Sequence, residues 1–111
     1  MRPSIVIDVD DTICTTKNRD YYNAEPIQPV IDVINKLYDE GWEIILYTAR
    51  GQLSYDGNQA RIEIEVRPIL AGWLERNNVN YSTLKMGKPF STSVYVDDKA
   101  IRPDEFIKLY G

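Results

Sequence analysis

Short apolar runs that stop abruptly at polar residues recur along the chain. Residues 4–9 and 42–47 form two such runs, rich in isoleucine, and both predict buried strands. Residues 81–86 and 93–96 predict two shorter strands. The first and last of the four runs are followed or ended by aspartates, so carboxylates are expected at the rim of the sheet that these strands would form.

Apolar residues recur at helical spacing between the runs. The stretch that begins at Pro29 and stops at Gly41 predicts a helix. A longer stripe over residues 62–74 predicts a second helix, with a kink or restart near Pro68; its first part also alternates like a strand, but the longer stripe favours a helix. Residues 103–110 predict a short closing helix.

The remaining segments are polar and lack a sustained period. Residues 12–29 predict a loop of moderate length, and residues 51–58 predict a turn-rich connection. Strands that alternate with helices predict an α/β fold with a Rossmann-like, doubly wound parallel sheet, here a single domain over residues 1–111. Such a fold brings the carboxyl ends of its strands to one edge, where ligands bind.

Composition narrows the classes of partner. The chain is 43% apolar and 27% charged, with a net charge of −4, which argues against a broad nucleic-acid surface. No apolar run approaches the roughly twenty residues that span a bilayer, so no membrane contact is expected. The single cysteine, Cys14, forms no intrachain disulfide, and with no leader peptide this indicates a cytoplasmic location.

The chain contains no histidine. Catalytic triads built on imidazole, histidine metal ligation and imidazole acid–base chemistry are therefore excluded. Proton transfer must fall to carboxylates, lysine, tyrosine or water. Hard-metal chemistry through oxygen ligands needs no imidazole and is favoured by elimination.

Asp8 and Asp10 follow the first strand. Residues two apart on a strand point to the same face, so both carboxylates are expected in one pocket. Two close like charges repel, and a bound cation such as Mg²⁺ relieves that repulsion. One carboxylate can then attack phosphorus while the other handles the proton of the leaving group. An isolated Asp-x-Asp would more often be a solvated turn, but here a second acidic strand end favours a site.

That second acidic strand end is Asp97-Asp98. Lys88, between a glycine and a proline, can neutralise phosphoryl charge. Thr48 ends the second strand, where a hydroxyl and a backbone N–H can hold a phosphate oxygen, and Arg50 can clamp a substrate anion. Each of these residues alone would be ordinary; the prediction rests on their combination at one sheet edge.

The ordered set resembles the haloacid dehalogenase (HAD) superfamily of phosphatases. Its first motif corresponds to Asp8-Val9-Asp10-Asp11-Thr12, its second to Thr48, its third to Lys88 and its fourth to Asp97-Asp98. The resemblance extends from about residue 5 to residue 106. Glycine is usual where Asp11 stands, so this chain departs from the commonest first motif at that position.

The resemblance implies a division of labour. Asp8 would be the nucleophile that forms an aspartyl-phosphate, and Asp10 would protonate the leaving alcohol and then activate water. Mg²⁺ would be held by Asp8, the backbone carbonyl of Asp10 and Asp97, with Asp98 assisting directly or through water.

The phosphate and the rest of the substrate would fall to other residues of the same motifs. Thr48 and Lys88 would hold the phosphoryl oxygens, with Arg50 and Asp11 as further substrate-binding candidates.

More narrowly, residues 47–51, 87–90 and 96–100 resemble small HAD phosphatases linked to capsular polysaccharide biosynthesis. This implies no large cap domain and a small phosphorylated substrate, with a sugar phosphate as the first expectation. The site would be open or covered by a second copy of the chain. Exposed tyrosines could provide that cover in a homo-oligomer; the candidates are Tyr21, Tyr22 and Tyr55.

Other interpretations stay open. A receiver domain shares the small fold, an acidic pair, a threonine and a lysine, but it needs an acceptor aspartate at the end of a middle strand. Asp39, which falls in the predicted helix, does not fill that place. A catalytically silent phosphate- or partner-binding domain of the same fold is a second alternative. A phosphotransferase or a nucleotide phosphatase is a third.

Overall fold

A computed structural model describes residues 2–87, 94–96 and 101–111, without the side chains of Val94 and Tyr95. In chain order its elements are β1 (Ser4–Asp8), β2 (Cys14–Thr15), β3 (Glu25–Pro26), α1 (Gln28–Asp39), β4 (Glu43–Tyr47), α2 (Gln59–Glu65), α3 (Arg67–Arg76), β5 (Thr83–Lys85), β6 (Val94–Val96) and α4 (Pro103–Tyr110). Each of the four strands and three helical regions expected from the pattern is present.

The main sheet is parallel, with strand order β5-β4-β1-β6. From β1 the chain moves outward to β4 and β5 and then returns to β6 on the opposite side of β1. The strand order therefore reverses between β1 and β6. In open parallel sheets the crevice at such a reversal, beyond the carboxyl ends of the strands, is the usual place for a ligand.

The core lies on the apolar residues of β1 and β4. Ile5, Val6 and Ile7 of β1 are completely buried, as are Ile44 and Leu46 of β4. A strand that is buried at every interior position belongs to a sheet that is covered on both faces. The abrupt change from isoleucine to aspartate in the sequence therefore marks the end of the buried part of the strand.

The helix predicted over residues 62–74 is two helices. α2 ends at Glu65 and α3 begins at Arg67, so the break falls at Val66, two residues before Pro68. Proline has no N–H to donate and restricts the residue before it, so it starts α3 rather than continuing α2. The kink predicted near Pro68 is confirmed.

The segment predicted as a loop over residues 12–29 is more ordered than expected. Cys14–Thr15 pairs with Glu25–Pro26 in a small antiparallel hairpin, and α1 already begins at Gln28. Two-residue strands leave no periodic signal in a sequence, which explains the difference. The hairpin is fixed to the body of the protein by the buried indole of Trp73, whose Nε1 donates to the carbonyl oxygen of Ala24 at 2.8 Å.

No helix among the described residues is long and apolar enough to cross a membrane.

The hydrogen bond from Trp73 predicts a measurable stability effect. Trp73→Phe removes the indole N–H and leaves the buried Ala24 carbonyl without that donor, so we expect a loss of about 1–3 kcal/mol in the free energy of unfolding. Urea titration followed by circular dichroism measures it. Trp42→Phe, at a half-buried position, is the control and should cost about 1 kcal/mol or less. Equal losses in the two variants would contradict this role of the indole.

Candidate active site at the carboxyl edge of the sheet

The pairing of β1 with β4 brings the first two candidate motifs together. Asp8 lies opposite Tyr47 in register, and one residue further on the N–H of Val9 donates to the carbonyl oxygen of Tyr47 at 3.0 Å. Thr48 follows Tyr47, and its own N–H donates to the carbonyl oxygen of Lys85 at the end of β5. The predicted meeting of the strand ends that carry Asp8 and Thr48 is therefore confirmed, and the end of β5 lies beside them. Asp97, the third residue expected at this edge, lies outside the described residues.

Asp10, Thr48 and Arg50 form a bonded cluster at this edge. The Thr48 hydroxyl donates to Oδ2 of Asp10 at 2.7 Å, while Nε and Nη2 of Arg50 both reach Oδ1 at 2.9 Å. The same hydroxyl accepts the backbone N–H of Arg50 at 3.1 Å. Each oxygen of the Asp10 carboxylate thus has a fixed donor, and a bond to a charged group is stronger than a neutral one.

Burial makes this cluster rigid. Thr48 is completely buried and only 2% of the Arg50 side chain is exposed, whereas 32% of the Asp10 side chain is exposed. The carboxylate is therefore the part of the cluster that faces solvent. Arg50 also stacks on the ring of Tyr21, with Cζ 4.3 Å from the ring centroid. Its Nη1 is buried without a hydrogen-bond partner among the described residues.

Sequence reasoning missed the roles of Thr48 and Arg50 toward Asp10. Both were expected to bind a substrate anion, and their contacts to the Asp10 carboxylate were not foreseen. The Thr-x-Arg spacing was the available signal, because it places a hydroxyl and a guanidinium on the same turn. Tyr21 was expected to cover the site of a second copy, but it lies beside Arg50 of its own chain, since nothing in a polar loop indicates which side chain folds back.

Asp11 explains how this chain tolerates a departure from the usual first motif. Its φ is +62°, in the left-handed region where glycine is the common residue and aspartate is one of the better-tolerated alternatives. Its N–H donates to the carbonyl oxygen of Cys14 at 2.9 Å, which closes the turn after β1. The exposed Asp11 side chain does not line the cavity described below.

Cys14 lies under the cluster, completely buried, with Sγ 3.6 Å from Nη2 of Arg50. Burial raises the pKa of the thiol from 9.0 to about 11, although the nearby Arg50 charge acts in the opposite direction. A protonated thiol is a poor nucleophile. This environment is that of a structural residue and not of a reactive thiol.

A cavity of about 430 Å³ opens beside Asp10 and Arg50. It is bounded by the hairpin loop, by the segment that follows Thr48 and by the junction of α2 and α3. The lining is mostly apolar, and Tyr21 and Tyr55, two of the tyrosines expected to cover a neighbouring copy, line this cavity of their own chain. The third, Tyr22, is exposed and stacks on Arg76.

Three of the predicted site residues, Lys88, Asp97 and Asp98, lie outside the described residues. Within the described ranges no three acidic, cysteine or histidine side chains are grouped closely enough to hold a metal. Asp8 and Asp10 therefore supply at most part of a ligand set. Their carboxylate and carbonyl oxygens are the donor type that Mg²⁺ prefers.

Comparison with solved structures identifies the fold. D,D-heptose 1,7-bisphosphate phosphatase from B. bronchiseptica, solved with magnesium and phosphate, superposes with a TM-score of 0.56 at 12% identity, over 98% of this chain and 76% of that one. A Pnkp1/Rnl/Hen1 complex matches with a TM-score of 0.58 at 20% identity, over 82% of this chain and 30% of that one. The chain thus has the HAD-like, Rossmann-like fold that the motif order indicated, with no cap domain among the described residues.

A more similar structure defines the family. A protein from Vibrio cholerae matches with a TM-score of 0.82 and 34% identity, over 96% of this chain and 89% of that one. The chain belongs to the same family as this protein, whose name states no function. No family model and no curated protein matches the chain.

The Thr48 hydroxyl predicts a local effect on the backbone. Thr48→Val keeps the shape but leaves the Arg50 N–H without an acceptor and Asp10 Oδ2 without its donor. We expect a loss of about 1–3 kcal/mol in the free energy of unfolding and faster hydrogen exchange at the Arg50 amide, measured by NMR. Thr48→Ser keeps the hydroxyl and should retain the protection. Equal protection of this amide in the valine variant would contradict the hydrogen bond.

The raised pKa of Cys14 predicts a pH-dependent reactivity. The folded protein should alkylate slowly with iodoacetamide at pH 8 and faster only as the pH approaches 11, whereas the protein unfolded in guanidinium should react at once. Because the folded pKa is raised, its contribution to stability is intact below pH 9 and is lost as the pH rises toward 11. Alkylation of the folded protein at the unfolded rate at pH 8 would show that the thiol is not buried as described.

Proposed function

We propose that this protein is a Mg²⁺-dependent phosphomonoester hydrolase that works through an aspartyl-phosphate. The observation that carries the proposal is the Asp10–Thr48–Arg50 cluster, fixed at the carboxyl edge of a HAD-like sheet, where Asp10 lies two residues beyond the end of the strand that carries Asp8. An exposed carboxylate with two buried donors behind it has the fixed position that general acid–base catalysis requires.

Two carboxylates then divide the chemistry. A carboxylate oxygen of Asp8 attacks phosphorus, the bond from phosphorus to the ester oxygen breaks, and Asp10 gives a proton to the departing alcohol. Asp10 next takes a proton from a water molecule, while the oxygen of that water attacks the phosphorus of the aspartyl-phosphate. The bond to the Asp8 oxygen breaks, and phosphate leaves with the Asp8 carboxylate regenerated.

The contacts of Asp10 support this division. Arg50 and Thr48 bind the two oxygens of Asp10 from the buried side, so the carboxyl group keeps one orientation during both proton transfers. Arg50 acts here as a positioning residue, and a substrate-binding role for it would need the partnerless Nη1 to become accessible. Asp8 ends a strand whose three interior residues are buried, which fixes the direction from which it can attack.

The proposed metal site lies at the strand-order reversal. Ile7 of β1 pairs with Val96 of β6. In the sequence Asp8 directly follows Ile7, and Asp97 directly follows Val96. Mg²⁺ would be held by the side chains of Asp8 and Asp97 and by the backbone carbonyl of Asp10, with Asp98 assisting. The ion would supply charge stabilisation for the transferring phosphoryl group. Lys88 would add a second positive charge, with Thr48 and Asp11 completing the phosphate-binding candidates.

The substrate is proposed to be a small phosphorylated metabolite. The resemblance to phosphatases of capsular polysaccharide biosynthesis supports a sugar phosphate, hydrolysed in the cytoplasm without nucleic-acid or membrane partners. The relative solved with magnesium and phosphate is a phosphatase of D,D-heptose 1,7-bisphosphate, which is compatible with this class of ester. A receiver-like alternative receives no support from the fold, since Asp39 is the exposed last residue of α1.

Asp8→Asn tests the nucleophile. We expect phosphate release from p-nitrophenyl phosphate and a panel of sugar phosphates and nucleotides to fall about a thousandfold or more, because an amide cannot form the aspartyl-phosphate. EDTA should abolish wild-type turnover, and Mg²⁺ should restore it.

Asp39→Asn removes an exposed carboxylate outside the site and serves as the matched control, with unchanged turnover expected. Full activity of Asp8→Asn would overturn the assignment of Asp8. Absence of turnover from every ester in the wild type would favour a silent binding domain.

A further inference from the structure

The cavity beside Asp10 limits which alcohol can carry the phosphate, on the condition that the proposed hydrolase function holds. At about 430 Å³ it is in the size range of small-ligand pockets. Asp10, one of the lining residues, would meet the ester oxygen, so the leaving alcohol extends into the cavity. The chemistry of the lining therefore reports the chemistry of that alcohol.

The polar groups of the lining are largely used by one another. Asp10 and Arg50 are paired at 2.9 Å. Glu65, another lining residue, accepts from Nη2 of Arg61 at 3.2 Å, and a hydrogen bond with Tyr55 lowers the pKa of Glu65 and raises that of Tyr55. A ligand hydroxyl that gives up its hydrogen bonds to water and gains none to the protein makes the free energy of binding less favourable. A bare polyol would find few partners in this cavity.

Two polar side chains of the lining, Ser54 and Arg19, take no part in the contacts described above. Both are exposed. They can meet one or two polar groups on the outer part of a ligand, but they cannot satisfy the several hydroxyls of an unsubstituted sugar. Arg19 also places a positive charge where an anionic ester would enter.

The apolar surfaces of the cavity face an entering ligand. Leu53 is 97% exposed and Ile69 is 45% exposed, although both line the cavity, and Val66 lies between the two helices beside them. The rings of Tyr21 and Tyr55 complete the wall. Each ring is held by a guanidinium, Arg50 at 4.3 Å and Arg61 at 4.5 Å from the respective centroids.

Gly51 is part of the same wall. Its φ is +83°, and a Cβ at this position would lie 2.9 Å from Cγ2 of Val66 and 3.3 Å from Cδ2 of Tyr55. The loop after Thr48 therefore packs closely against Val66 and Tyr55 and keeps the apolar wall in a fixed position next to the catalytic carboxylate. A preorganised apolar wall favours a ligand with a flat apolar face.

We propose that the cavity takes a sugar that carries a planar ring substituent, so that the preferred ester is a nucleoside monophosphate rather than an unsubstituted sugar phosphate. The phosphate lies at Asp8 and Asp10, the sugar lies near Arg19 and Ser54, and the base lies against Ile69 and the tyrosine rings. A nucleoside monophosphate is still the phosphate ester of a sugar, and the base is the additional group that decides which ester the protein prefers.

Ribose 5-phosphate and the four common ribonucleoside 5′-monophosphates form a matched panel, since they share the sugar and the phosphate and differ in the base. We expect kcat/KM for at least one nucleotide to exceed that for ribose 5-phosphate by about tenfold or more. Ile69→Ser should reduce this ratio by about three- to tenfold. Ile64→Ser, an equally apolar and 74% exposed position of α2 outside the cavity lining, should leave it unchanged.

Binding of the nucleosides alone separates this inference from the hydrolase function. Calorimetric titration of Asp8→Asn with the corresponding nucleosides and with ribose needs no turnover. Nucleoside binding that Ile69→Ser weakens and Ile64→Ser does not would support the cavity assignment even if no ester were hydrolysed. Equal kcat/KM across the panel, or no nucleoside binding in the absence of turnover, would overturn it.

Discussion

The parallel pairing of β1 with β4 is the constraint on which the rest of the structure depends. It sets Asp8 opposite Tyr47 and extends one residue beyond the strand ends through the bond from Val9 to Tyr47. A shift of one residue in this register would turn the buried isoleucines of β1 toward the other face and separate Asp10 from Thr48. The geometry of the cluster is therefore fixed by the same contacts that build the core.

The Asp10–Thr48–Arg50 cluster joins stability and chemistry. A buried arginine needs a partner, and the Asp10 carboxylate is the anion that meets it. The carboxylate in turn stays at the surface with one orientation. This arrangement places a solvent-facing carboxylate two residues after a strand with a buried interior, held by a threonine and an arginine that lie two residues apart.

The sequence pattern predicted the parallel sheet, the helices and the meeting of the strand ends that carry Asp8 and Thr48, because continuous apolar runs and helical stripes are local signals. Other features depend on contacts between distant residues and left no such signal. The hairpin of β2 and β3 is held by Trp73, Arg50 turns toward Asp10, and Tyr21 folds over Arg50. For Asp11 the sequence predicted a position in the turn after β1, but it did not predict the left-handed backbone conformation.

Rapid quenching of a reaction with a ³²P-labelled phosphomonoester, followed by peptide mapping, is the most direct measurement of the central claim. We expect an acid-stable, hydroxylamine-sensitive label on the peptide that contains Asp8, with no label on that peptide in Asp8→Asn. Turnover that leaves Asp8 unlabelled throughout the first cycle, or a label on a different residue, would contradict catalysis through an aspartyl-phosphate at this position.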